Sequence, residues 1–271
     1  MKLVSYIILT VFACLLLVPL LWMVLTAFQP SLGLIKMPPN MANSTIQNFI
    51  DLFQFPILRW TFNSIIVVSL QMFLGLLVSL LAAYGFTFRP FPGSEIIFWC
   101  MLAAIMIPGE ITLIPKFLII KALGLFNTLI ALIIPSLGGG IVSVFFFRQF
   151  LKDFPRELIG MAEIDGCGDL GKFYHLVIPL LAPAISAMLI IRFPGAWKAF
   201  LWPLIVTSKN LVKTLPIGLY LDIAEKAEEH YPEAYGLTMA GAVYSFLPIF
   251  LVFISCQRYF TKGLFSGAMK E

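Results

Sequence analysis

Six stretches of this chain, residues 3–28, 61–88, 96–120, 129–150, 178–206 and 237–260, are predominantly apolar over more than 20 residues each. A helix of about 20 apolar residues crosses the hydrocarbon of a bilayer, and little else can. Membrane-crossing strands would instead alternate apolar and polar residues over about 10 positions. These runs are continuous, so the pattern predicts an all-α integral membrane protein of six transmembrane helices, with residues 1–271 forming one membrane domain. Composition excludes the alternative of a soluble fold: 60% of residues are apolar and only 12% charged, where a soluble domain carries about 25% charged residues to cover its surface. The first run follows Lys2 and is longer than the apolar core of a cleaved signal, and no small-x-small site closes it, so it is read as a retained span.

Proline interrupts several runs: Pro108 and Pro115 in the third, Pro135 in the fourth, Pro183 and Pro194 in the fifth. Each removes an intrahelical hydrogen bond, which in lipid is tolerated only where neighbouring helices or water satisfy the freed groups. The helices are therefore expected to pack as a bundle. No internal repeat or low-complexity tract is visible.

Six spans place both termini on one side. With that side cytoplasmic, Lys2, Arg89, Arg148, Lys152, Arg156, Lys172, Arg258, Lys262 and Lys270 lie inside, nine in all, against seven outside (Lys36, Arg59, Lys116, Lys121, Lys209, Lys213 and Lys226). The excess points to cytoplasmic termini, and net basicity gives no reason to invoke nucleic acid. Cys14, Cys100, Cys167 and Cys256 are scattered, without C-x-x-C, and His175 and His230 lie far apart. No zinc or redox centre is expected, and the cysteines read as buried small hydrophobes. Of the two long outside stretches, 29–60 and 208–236, the second holds "LDIAEKAEEHYPEAYG", whose Ala and Glu content favours a short helix ending before Pro232.

Residues 155–183, "PRELIGMAEIDGCGDLGKFYHLVIPLLAP", break the apolar pattern with four acids, three basic residues and four glycines. Pro155 suits the first turn of a helix. Leu158, Met161, Ala162 and Asp165 follow at helical spacing, and Gly166 can end the helix in the left-handed conformation. Asp169 is placed to cap a second helix, along which Leu170, Phe173, Tyr174 and Val177 form one apolar stripe. The segment reads as helix, tight glycine turn, helix. Such a hairpin must bury its apolar faces on the membrane, against its own bundle, or in a groove of a soluble partner.

Residues 162–183 resemble the EAA loop of ABC importer permeases, a pattern of roughly EAA-x-x-DGA, a spacer, Phe and then Pro, matched at Asp165, Gly166, Phe173 and Pro179. The likeness continues through "AAYGFTF" (82–88), "IPGEITLIP" (107–115), "LGLFNTLIALIIP" (123–135), "FPGAWKAFLWPLIV" (193–206) and "QRYFTKGLFSGAMK" (257–270). All six blocks are similar to the carbohydrate-uptake, MalG-like branch of binding-protein-dependent importers.

The resemblance implies a cytoplasmic coupling-helix hairpin, residues 152–178, between the fourth and fifth spans and docked on an ATPase. The residues it implies for that contact are Arg156, Glu157, Leu158, Met161, Ala162, Glu163, Asp165, Gly166 and Phe173. Gly160 and Met161 stand where the motif has its glutamate and first alanine, leaving Arg156, Glu157 or Glu163 to take over that contact. The implied assembly pairs this chain with a second permease subunit, two cytoplasmic ATPase subunits and an extracytoplasmic sugar-binding protein. Residues 208–236 resemble the loop that probes the binding protein's cleft, and 267–271 a tail that reaches towards the ATPase.

The chain lacks G-x-x-x-x-G-K-[ST], so it is not expected to be an enzyme, and ATP and Mg are expected on the partner subunits. A stand-alone ion-coupled carrier is the alternative, but no pair of buried carboxylates suggests a relay. Charges inside a membrane are costly and mark function by default. Glu110 in the third span, and Arg192 and Lys198 beside Phe193, Trp197 and Trp202 in the fifth, are therefore candidates to line a sugar path. The alternative is that Glu110 and Arg192 pair or snorkel and Trp202 anchors an interface. Residues 138–140, all glycine, read as close helix packing or a loose turn.

Overall fold

The structure, a computed structural model, describes residues 2–30, 44–138, 140–225 and 235–268. Among the described residues the regular structure is entirely helical: α1 (Lys2–Ala27), α2 (Gln47–Leu52), α3 (Ile57–Phe88), α4 (Ser94–Ala104), α5 (Leu113–Ala122), α6 (Leu129–Gly138), α7 (Ile141–Lys152), α8 (Arg156–Ile164), α9 (Asp169–Leu180), α10 (Ala182–Trp197), α11 (Leu201–Val206), α12 (Leu215–Ala224) and α13 (Tyr235–Ala268).

Three helices are uninterrupted and apolar enough to cross a bilayer: Val4–Ala27 within α1, α3, and Tyr235–Gln257 within α13. The other three expected spans are broken. Residues 96–120, expected as one helix, form α4 and α5 with turns between them, where Pro108 and Gly109 interrupt the hydrogen-bond ladder. The fourth run is the pair α6 and α7. The fifth begins at the end of α9, which meets α10 at a bend of 71°, and runs on into α11. Pro183 has no N–H to return to the carbonyl of Pro179, so the helix turns at Leu181.

The chain divides into two compact units. One comprises Met1–Ser64 and Lys213–Phe250. Here Trp60 is fully buried against Gly218, where any added methyl would collide with the indole. Asn48 donates to the carbonyls of Ala27 and Gln29 at 2.8 and 2.6 Å. Lys213 pairs with Asp222 at 2.6 Å with both side chains largely buried, and Asn63 donates to the Lys213 carbonyl at 2.9 Å. Of the helix expected within 221–236, residues 221–224 form the end of α12. Residues 226–234 lie outside the described residues, as do 269–271 of the expected ATPase-reaching tail.

The other unit comprises Ile65–Val212 and Leu251–Glu271. Its main core gathers Ala83 from α3, Phe98 from α4, Phe147 from α7, Phe173 and Val177 from α9, and Met188 from α10. A second cluster packs Val67, Ile120, Leu132 and Val206. The glycine run serves close packing at Gly140, where a methyl would strike the Ser79 hydroxyl. That hydroxyl donates to the Gly75 carbonyl at 2.7 Å. Gly139 lies outside the described residues.

The cysteines correct the sequence reading. Cys14 and Cys100 are exposed, because the faces of α1 and α4 that carry them point outward, and Cys167 and Cys256 are only half-buried. Outward apolar faces are what lipid or a partner subunit covers in a membrane protein, and exposure of α1 from Val4 to Leu17 fits that setting.

Candidate functional site

The polar segment folds as a helical hairpin. Pro155 takes the capping position of α8 rather than its first turn, with ψ 111°. At the other end Gly166 has φ +76°. The Gly166 N–H donates to the Glu163 carbonyl at 3.1 Å and the Cys167 N–H to the Ala162 carbonyl at 2.8 Å. These two bonds form the Schellman closure that glycine permits. Gly168, not Asp169, is the capping residue of the second arm, and Asp169 is its first helical residue.

The expected stripe on α9 splits. Phe173 and Val177 are buried, whereas Leu170 and Tyr174 are 70% and 56% exposed. Between Phe173 and Val177 the helix widens into a π turn, with the Ile178 N–H donating to the Phe173 carbonyl. Pro179 has no N–H for the carbonyl of His175, and across the wider turn Tyr174 and Val177 no longer share one face. Ile159 on α8 is buried in the same core.

The hairpin therefore packs on its own bundle through Ile159, Phe173 and Val177. It leaves Leu158, Met161 and Ile164 at 37%, 61% and 87% exposure on the opposite face of α8. Glu157, Asp165 and Gly166 are also exposed, and Ala162 is half-buried. The side chain of Arg156 lies outside the described residues.

Beneath that exposed face is a charge cluster that sequence reasoning missed. Arg89, just past α3, reaches Asp169 with Nη2 at 2.8 Å and with Nε at 3.1 Å to each carboxylate oxygen. Its Nη2 also meets Glu163 at 3.1 Å. The Lys172 ammonium lies 2.7 Å from Glu163 and 3.0 Å from Asp169, and its side chain is 2% exposed. The Tyr84 hydroxyl stands 3.4 Å from Asp169. Glu163, a sequence candidate for outward contact, is thus engaged within the chain. Local pattern held no signal for this pairing, since Arg89 and Asp169 are 80 residues apart.

The hydrogen bonds of Arg89 and then Lys172 hold the Asp169 carboxyl down to about 2. Lys172 does the same for Glu163, whose pKa is lowered, and the Lys172 ammonium is raised in return by Glu163 and Asp169. The two acids bind fewer protons folded than unfolded. Their contribution is complete above the ordinary carboxylate range, near pH 4, and is lost as pH falls towards 2. Lys172 has the opposite sign, contributing below the ordinary lysine value and losing that contribution as pH rises through its elevated one. Amide exchange across residues 161–168, corrected for intrinsic rates, should then be flat between about pH 5 and 9. Loosening near pH 6 would contradict this arrangement.

The candidate path residues fall into separate settings. Arg192 is half-buried with Nη1 3.2 Å from the Ser143 hydroxyl, and its guanidinium lies against Gly75. Phe193 and Trp197 stack at 5.8 Å. Trp202 donates to the Ala131 carbonyl at 3.0 Å and lies under the Lys116 ammonium at 5.7 Å. Glu110 and Lys198 are exposed, and among the described residues no ion pair joins Glu110 to Arg192.

Residues 72–266 match the family of binding-protein-dependent transport system inner membrane components, and the chain belongs to that family. It is thus a multi-pass inner-membrane transport subunit. It is 37% identical over 258 residues to the arabinooligosaccharides transport system permease protein AraQ of Halalkalibacterium halodurans, covering 93% of this chain and 90% of that protein. The lactose transport system permease protein LacG of Rhizobium radiobacter is 32% identical over 270 residues, covering 98% and 96%. In fold the chain is similar to a chain of a bacterial ABC transporter involved in the import of the acidic polysaccharide alginate. That likeness has a TM-score of 0.82 at 17% identity, with 96% of each chain covered.

Proposed function

We propose that this chain is one permease subunit of an ATP-driven carbohydrate importer. In this reading it pairs with a second permease and receives sugar from an extracytoplasmic binding protein. Two cytoplasmic ATPase subunits, which hold ATP and Mg, drive it. The hairpin faces the cytoplasm, as do both termini. Arg156, Glu157, Leu158, Met161, Ala162, Asp165 and Gly166 present the contact to the ATPase, and Phe173 and Glu163 support it from beneath. Closure of the ATPase pair drags the hairpin and rocks the bundle between outward-open and inward-open arrangements, because packed helices switch between discrete packings rather than deform smoothly. Arg192, Phe193, Trp197 and Trp202, with Glu110 and Lys198, are the residues we assign to the sugar route, where aromatic faces and hydrogen-bonding groups suit carbohydrate. The names of the relatives, arabinooligosaccharides and lactose, favour a short oligosaccharide as cargo.

The observation that carries this reading is the exposed Leu158, Met161 and Ile164 face on a hairpin anchored from below, within a chain of this family. The test is purification of the native complex and its reconstitution in proteoliposomes. Expected are co-purifying ATPase subunits and oligosaccharide uptake that requires both ATP and the binding protein. Sugar transport by this chain alone on an ion gradient would overturn the proposal.

A further inference from the structure

The hairpin joins α7 to α10 in sequence, but the side chains that clasp it come from the end of α3. One guanidinium, that of Arg89, spans both arms: it meets Glu163 on α8 and binds Asp169 on α9 through three contacts of 2.8–3.1 Å. Isolated surface ion pairs contribute little. This one is a forked arginine contact, which fixes direction as well as distance, and it is closed from below by the desolvated ammonium of Lys172.

Apolar contacts from the same two turns of α3 reinforce it. Phe88 meets Phe154 edge-on at 5.9 Å, and Tyr84 meets Phe173 edge-on at 5.7 Å. The end of α3 thus touches the start of the hairpin, its turn-proximal acid and its second arm.

We infer that Arg89 is a positioning residue of the transport cycle: it fastens the hairpin to the end of α3, so that a displacement of the hairpin is delivered to α3 as well as to α7 and α10. The inference rests on the coupling role proposed above. It has a clean dissection, because Lys172 bridges the same two carboxylates independently. Removing Arg89 leaves the hairpin's own clasp closed and takes away the ionic part of its link to α3, while the ring contacts of Tyr84 and Phe88 remain.

The test uses the complete transporter in proteoliposomes, measuring sugar transported per ATP hydrolysed. For Arg89→Ala we expect ATPase co-purification, ATP turnover and the KM for sugar to stay near wild type, while transport per ATP falls by about fivefold or more. Arg89→Lys, which keeps the charge but not the fork, should fall between the two. An unchanged ratio in Arg89→Ala overturns the inference, as does loss of the ATPase from the complex, which would make Arg89 a support of the dock alone. A wild-type complex that couples to no ATPase removes the proposed function and this inference together, whereas the first two results leave the proposed function standing.

Discussion

Gly166→Val is expected to uncouple ATP hydrolysis from uptake, with transport falling by about 5- to 30-fold. The φ of +76° at this position is one a β-branched residue rarely adopts, and placing an L-side chain there costs about 1–2 kcal/mol. A cost of that size shifts a two-state balance by a factor of about 5–30, here away from the closed turn. Among the described residues, its two chain neighbours aside, no atom lies within 4 Å of a methyl added at Gly166, so there the penalty is conformational rather than steric. That gives the control: Gly166→Asn, which adds a larger side chain but tolerates the left-handed region, should retain most transport. Equal loss in both variants would point instead to a steric limit in the partner's groove. Full activity of Gly166→Val would show that the turn does not set the hairpin's geometry for transport.

That turn was legible in the residues alone, because a backbone demand has a local signature: glycine after a helical stretch and before a capping position. The all-helical membrane fold was legible for a similar reason, since about 20 apolar residues in a row admit few structures. What could not be read depended on distance or on a changed period. The pairing of Arg89 with Asp169 and Glu163 joins residues 80 and 74 positions apart, and nothing near Asp169 distinguishes a partner of arginine from a helix cap. The stripe of Leu170, Phe173, Tyr174 and Val177 assumed α periodicity and failed across the π turn at 173–177. Arg192 was read for charge in the membrane, but its neighbour Ser143 comes from another helix. The third span was counted as one because apolarity was continuous, although Pro108 and Pro115 lay within it.

Met161→Asp combined with Ile164→Asp is expected to release the ATPase subunits from the purified complex. Both side chains are largely exposed in this chain, at 61% and 87%, so neither contributes much to the chain's own core. Replacing them should leave the hairpin folded and the membrane bundle intact. If a partner groove covers them, full burial of each contributes about 1.5–3 kcal/mol, and the pair together at least about 3 kcal/mol. At 1.4 kcal/mol per tenfold, affinity for the ATPase would fall by about 100-fold or more, before the added penalty of desolvating two carboxylates. The measurement is co-purification of the ATPase subunits, with amide exchange of 157–168 as the check that the hairpin is still formed. The contrast with Phe173→Ala makes the two faces separable. That substitution empties a core position that is 1% exposed and should cost about 3–5 kcal/mol of stability, so it is expected to loosen the hairpin itself. A hairpin that stays protected and still binds ATPase after both aspartates are introduced would mean that lipid or another permease surface, and not the ATPase, covers this face.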